Sequence, residues 1–204
     1  MEVLNSIGVL LGSSWASGVN LYLTITGLGI ANRLGWIALP GDMDIISHPA
    51  IIGIAAFMYA IEFIADKVPY VDSAWDSVHT FIRPLGGAAL GYMAMADMGQ
   101  AAQIPVALLT GSVALDSHLT KATTRVAINT SPEPVTNSVA SVTEDAGVIG
   151  VMYLILQHPV IAALLVIAFI AFSVWFLRKM FHLVKRVFAG KSGGSASQKK
   201  ADIQ

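Results

Sequence analysis

The residues able to do chemistry gather in two blocks. The first reads Glu62-Phe-Ile-Ala-Asp66-Lys67-Val-Pro69-Tyr-Val-Asp72-Ser-Ala-Trp75-Asp76-Ser-Val-His79-Thr80-Phe-Ile-Arg83-Pro84. Glu62 and Asp66 are four residues apart, so on a helix both carboxylates share one face. Asp72, Asp76, His79, Thr80 and Arg83 follow at helical spacing and occupy an arc of about 100°. Trp75, Val78, Phe81 and Ile82 lie largely outside that arc. Such a stripe can carry protons or a cation, and Asp72 with Asp76 is the pair placed to hold a divalent ion. His79 is of the residue type that changes charge near neutral pH. The same stripe also suits an interfacial helix whose polar side faces water.

The second block supplies the opposite sign. His118, Lys121, Arg125 and Asn129 share a helix face, while Asp116 points the other way. Asn129-Thr-Ser-Pro132-Glu133-Pro134 follows, then Asn137 and Glu144-Asp145. Two prolines hold the backbone around Glu133. If this turn re-enters a membrane, Glu133 and Asn137 line a path, because irregular backbone at that depth must be protein-buried or hydrated. If it stays in the cytoplasm, it is a Pro-rich connection. Glu144 and Asp145 are expected to open a helix, where negative charge offsets the helix dipole. They are equally able to join the acidic stripe. A basic face opposite an acidic one also suggests simple mutual neutralisation.

The elements that must position these blocks are apolar helices. Charged residues make up 12% of the 204 and hydrophobic residues 55%, with a mean hydropathy of +0.67. That charged share is about half the usual value of roughly 25%. A soluble enzyme, a disordered chain and a nucleic-acid binder all fit poorly. With no cysteine, disulfides, thiolate nucleophiles and Cys-ligated metals are excluded. No charge occurs in 3–32, 45–61, 84–96, 98–115 or 146–177, and about 20 apolar residues suffice to cross a bilayer. Six helices are expected, near 3–32, 50–66, 82–97, 104–126, 142–157 and 159–186. Because 82–97 and 142–157 are short, five spans plus a re-entrant segment is the alternative.

Pro69 should end or kink the second helix, and Gln157-His158-Pro159 should divide the last two. Ser17-Gly18-Val19-Asn20 should break the first, exposing backbone groups of the kind that bind ions. Met1-Glu2 has no basic n-region and no small-residue cleavage site follows, so the first helix is expected to remain. Gly87 and Gly91, at GxxxG spacing, suggest close helix packing.

Seven of the twelve basic residues are Arg178, Lys179, Lys185, Arg186, Lys191, Lys199 and Lys200. The positive-inside rule makes that end cytoplasmic, and six spans then put both termini inside. The expected organisation is one transmembrane helical domain over 1–186 and a disordered, basic cytoplasmic tail over 187–204.

Several uncommon motifs also occur in order: Ser17-Gly18-x-Asn20-Leu21-Tyr22, Glu62-Phe-x-x-Asp66-Lys67-x-Pro69, Val71-Asp72-Ser73-x-Trp75-Asp76-x-x-His79-Thr80-x-x-Arg83-Pro84, Ser117-His118-x-Thr120-Lys121-x-x-x-Arg125 and Asn129-Thr-Ser-Pro132-Glu133-Pro134. Over about residues 1–177 the chain resembles a bacterial integral-membrane family, domain of unknown function 4126. The resemblance implies a multi-span protein of the bacterial cytoplasmic membrane and no particular activity.

The leading expectation is a small transporter or channel linked to a cation or proton. Glu62, Asp66, Asp72 and Asp76 would carry the ion, with His79 and His118 titrating nearby. Arg83, Lys121 and Arg125 would balance charge, and Glu133 would gate. The first alternative is a metal-dependent enzyme acting on a lipid or lipid phosphate, with a divalent cation on Asp72 and Asp76. The longer signature of CDP-alcohol phosphotransferases needs glycine where this chain has Val68, so that family does not fit. The second alternative is a scaffold that transports nothing. The bilayer and a small ion or solute are the expected partners, nucleic acid is not, and assembly into a homo-oligomer stays open.

Overall fold

A computed structural model of the chain describes residues 2–129 and 134–201. It is all α, with no strand among the described residues. The helices are α1 (Glu2–Arg33), α2 (Pro49–Ala65), α3 (Pro69–Ala94), α4 (Gln100–Asn129), α5 (Pro134–Gln157) and α6 (Pro159–Ala201). Short 3-10 segments, Gly41–Ser47 and Ala96–Met98, lie in the α1–α2 and α3–α4 connections.

Proline sets four of the starts, as first residue of α2, α3, α5 and α6. There its missing N–H costs no hydrogen bond and its fixed φ suits the first turn. At α2 the His48 ring accepts from the Ala50 N–H at 3.3 Å and completes the cap.

α1 is the hub and touches each of the other five helices. Small residues permit this: Gly8 lies against the Pro159 carbonyl, Gly18 lies against the Ala114 carbonyl, and Ala16 is fully buried. α3 and α4 form the most extensive pair, with Gly87 against Ala114 and Gly91 against Thr110. An apolar core of Val9, Leu10, Trp15, Val148, Val151, Ile155 and Val166 joins α1 to α5 and α6. Trp15 meets Phe169 edge-on, with ring centroids 5.3 Å apart.

Polarity is distributed inside out. Ile54, Phe57, Phe81, Leu85, Leu108 and Leu164 are exposed, whereas Glu62, Asp72, Arg83, His118 and Asn137 are fully buried. A water-soluble chain buries the first group and exposes the second. Among the described residues, two segments are long and apolar enough to cross a membrane, Val135–Gln157 and Pro159–Leu183. A third qualifies if Gly41–Ser47 and α2, bent by 67°, count as one broken span.

Three boundaries differ from expectation. The helix placed at 82–97 begins at Pro69, so the ionisable stripe and the apolar segment are one helix running through Pro84. An interior proline costs about 3 kcal/mol, and packing of both halves of α3 along α4 offsets it. The helix placed at 142–157 begins at Pro134, because polar Asn137 and Ser141 are buried helix residues rather than a loop. The two helices are then 26 and 24 residues long. α6 continues to Ala201, through a segment whose composition points to an irregular end.

Candidate functional site

The site is built on a break in α1. Asn20 has φ −149° and ψ 98° inside an otherwise helical run. Its side chain repairs the chain on one side and reaches across on the other. Oδ1 accepts from the Leu23 N–H at 3.0 Å and caps the second half of α1. Nδ2 donates to Asp145 Oδ1 at 3.0 Å. Side chains of other helices donate to carbonyls near the end of the first half. Arg83 Nη1 donates to Gly18 O at 3.2 Å, Lys121 Nζ to Val19 O at 3.3 Å, and Ser117 Oγ to Trp15 O at 2.9 Å. A helix C-terminus carries partial negative charge, so two cations suit it.

Those two cations also hold the carboxylates of α2. Arg83 Nη2 donates to Glu62 Oε1 at 2.6 Å, and Arg83 Nη1 lies 3.4 Å from Asp76. Lys121 Nζ donates to Asp66 Oδ2 at 3.0 Å and lies 3.7 Å from Glu62 and 3.4 Å from Glu144. A third cation ties α4 to α5: Arg125 forms a fork on Glu144, Nε to Oε1 at 2.9 Å and Nη2 to Oε2 at 2.7 Å. Arg125 Nη1 donates to the carbonyls of Asp66 at 3.2 Å and Asn137 at 3.1 Å. The Arg–carboxylate fork gives the pair directional specificity as well as attraction.

The imidazoles complete the α3 side. Arg83 can only donate, so its 2.8 Å contact makes His118 Nδ1 an acceptor and puts the ring proton on Nε2. Nε2 faces the Asp76 carbonyl at 3.1 Å and Thr80 Oγ1 at 3.0 Å. His79 has the opposite tautomer. Nδ1 donates to the Trp75 carbonyl at 2.8 Å, leaving Nε2 to accept from Tyr22 at 3.1 Å. Trp75 stacks on the His79 ring at 4.7 Å.

Glu62, Asp66, Asp72, Asp76, His79, Arg83, His118, Lys121, Arg125, Asn129, Asn137, Glu144 and Asp145 all border this one region, with the α1 break at its centre. Glu133 lies outside the described residues. Asn129 donates to Asp72 Oδ2 at 3.0 Å. Asn137 is fully buried on the face of α5 that bears Ser141, Glu144 and Asp145. Glu144 and Asp145 do not open a helix, since α5 starts ten residues before Glu144. They stand in its interior and face Arg125 and Asn20, so the dipole role is replaced by direct pairing.

Asp72 and Asp76 have separate partners. Asp72 faces Asn129 and, at 3.9 Å, Arg125, whereas Asp76 faces Arg83. The two carboxylates serve separate cations, and among the described residues no three His, Asp or Glu side chains are grouped as metal ligands. Tyr59, which donates to Asp145 Oδ2 at 3.0 Å, was not legible as a site residue. Its only signal is its position three residues before Glu62, on the same face of α2.

An all-α bundle with an apolar exterior and a buried ionisable centre is the class of protein this fold defines. The chain belongs to the family described as Domain of unknown function (DUF4126), whose model matches residues 7–179. No curated protein and no solved structure matches it.

Proposed function

We propose that the protein is a multi-pass transporter or channel of the bacterial cytoplasmic membrane that moves a small solute or ion in a proton- or cation-linked cycle. The observation that carries this reading is charge excess at a broken helix. Among the described residues, six buried or half-buried carboxylates (Glu62, Asp66, Asp72, Asp76, Glu144 and Asp145) face three buried cations, Arg83, Lys121 and Arg125, with half-buried Lys67 at the margin. Ionisable groups at membrane depth are costly unless paired or hydrated, so the excess of negative charge calls for mobile positive charge. Protons meet that need best, because the carboxylates are already turned to Arg and Lys.

Six spans with both termini cytoplasmic belong to the same proposal. On α3 and α4 the ionisable residues Asp72, Asp76, Arg83, Lys121 and Arg125 are buried, while Phe81, Leu85, Leu108 and Leu109 form an apolar exterior. A discontinuous helix at a midplane ion site is also a recurrent arrangement in transporters. The scaffold reading accounts for the ion pairs but not for the excess of acid.

The test uses full-length protein reconstituted in liposomes with a trapped pH dye and the membrane potential clamped. An inward proton gradient is applied alone and with pools of small polar solutes. Proton uptake above that of empty liposomes, lost in Glu62→Gln, is the expected outcome. Identical traces for wild type, Glu62→Gln and empty liposomes in every condition would overturn the proposal.

A further inference from the structure

Away from the ionisable centre, the later halves of α4 and α6 enclose an open groove of about 840 Å³. Its α4 wall is Leu119, Ala122, Val126 and neighbours, and its α6 wall includes Leu177, Met180 and Phe181. Apart from Thr123, the polar lining comes from α6, where Arg178 and His182 stand one turn apart along the groove. His182 Nδ1 donates to the Arg178 carbonyl at 2.7 Å, which fixes the ring beside the arginine.

The charge on that wall is uncompensated. From residue 146 through 201 the chain has no Asp or Glu, while α6 carries Arg178, Lys179 and Lys185 in succession. The α4 carboxylate that faces α6, Asp116, bonds to Ser173 and lies before the groove along both helices. Lys179 and Lys185 sit over the rings of Trp175 and Phe181, 5.1 and 4.7 Å from their centroids, an aromatic–basic pairing suited to a headgroup layer. A recess near Asn5, Leu39 and Pro159 offers a contrast, since no charged residue lines it.

We propose that this groove binds an anionic phospholipid, with an acyl chain against Leu119, Val126 and Phe181 and the phosphate on Arg178. An apolar lining beside an arginine matches the two parts of such a lipid, and a basic cluster near a membrane surface favours anionic headgroups. The inference rests on the membrane placement proposed above but not on the proton-linked cycle, and its test involves no transport.

The experiment measures the melting midpoint of full-length protein in detergent as phosphatidylglycerol, phosphatidylcholine or inorganic phosphate is titrated. Phosphatidylglycerol should give a saturable rise at least twice that of phosphatidylcholine, and inorganic phosphate none. Arg178→Gln should lose most of the difference between the lipids. Ala122→Phe, which fills the groove from α4, should lose it while keeping the lipid-free midpoint. Equal response to both lipids, or a full phosphatidylglycerol response in both variants, would overturn the proposal. So would dimerisation through α4 and α6, with a concentration-dependent midpoint and no lipid effect, which would assign the groove to a second copy of the chain.

Discussion

Arg83 tests the charge accounting most directly. It is fully buried and makes four polar contacts, to Glu62, Asp76, the Gly18 carbonyl and His118. Arg83→Gln leaves Asp76 without its ion-pair partner and Glu62 with Lys121 alone, at 3.7 Å, and raises the local excess of negative charge. Removing one member of a buried pair costs about 3–5 kcal/mol, which for a chain of this size is a fall in melting midpoint of about 6–20 °C. Glu62→Gln removes a negative charge from a region that has too many, and Arg83 keeps Asp76 and Gly18. Its cost should stay within about 1–3 kcal/mol, the value of a charged hydrogen bond. The double variant should melt above Arg83→Gln alone, because coupled groups depart from additivity by about 0.5–3 kcal/mol. Arg83→Lys keeps the charge without the fork and should fall between wild type and Arg83→Gln. Melting of detergent-purified protein, followed by intrinsic tryptophan fluorescence, reads all four. If Glu62→Gln proved as damaging as Arg83→Gln, or the double variant were the sum of the two, the carboxylate excess would not be the governing term.

Three further outcomes follow from the same geometry. Gly18→Ala drives a methyl into the Ala114 carbonyl and Ser117 Oγ, and should prevent α1 from seating on α4. Gly150→Ala, with nothing within 4 Å of its new methyl, should instead raise stability by about 0.4–1 kcal/mol, so the two variants should melt on opposite sides of wild type. Asn20→Leu removes both the cap on Leu23 and the bond to Asp145. It should abolish proton uptake in liposomes while the protein still inserts, and wild-type uptake in this variant would show that the break is not used. Because the chain has no cysteine, single cysteines report topology cleanly. In intact cells an impermeant thiol reagent should label Asp97→Cys from outside and leave Ser192→Cys unmodified, and labelling of both would reject six spans.

Much of the architecture was legible because it rests on local signals. The prolines at 49 and 159 mark helix starts through a rule that needs no partner, whereas Pro69 and Pro134 point equally to a helix break and a turn. Polar Ser17, Gly18 and Asn20 within an uncharged run marked the region of the break. What was not legible depended on long-range partners. Asn137 and Ser141 read as loop because polar residues usually face water, and only a charged interior makes them buried helix. Asp72 and Asp76 read as a ligand pair because their spacing is helical, yet Asn129 and Arg83 draw them to different neighbours. Tyr59 offers only its spacing to Glu62, since its role exists through Asp145 on α5.

Arg83 and Lys121 share a design that ties the break to the carboxylates. Each bridges one carboxylate of α2 and one end carbonyl of the first half of α1: Glu62 and Gly18 for Arg83, Asp66 and Val19 for Lys121. The carboxylate and the carbonyl compete for one cation, so neutralising the carboxylate strengthens the hold on the carbonyl, and displacing the carbonyl strengthens the ion pair. On the proposed cycle, a proton reaching Glu62 or Asp66 therefore changes how firmly the α1 break is held, with no need for a distant relay. The second half of α1 is bound separately, through Asn20 to Asp145 and from there to Tyr59. The acids that bear most directly on the two halves of α1 thus differ, Glu62 and Asp66 for the first and Asp145 for the second, with Glu144 beside Lys121 as a link between them. A double-mutant cycle between Glu62→Gln and Asp145→Asn should accordingly show weaker coupling than one between Glu62→Gln and Arg83→Gln, and equal coupling would mean that α1 moves as one body.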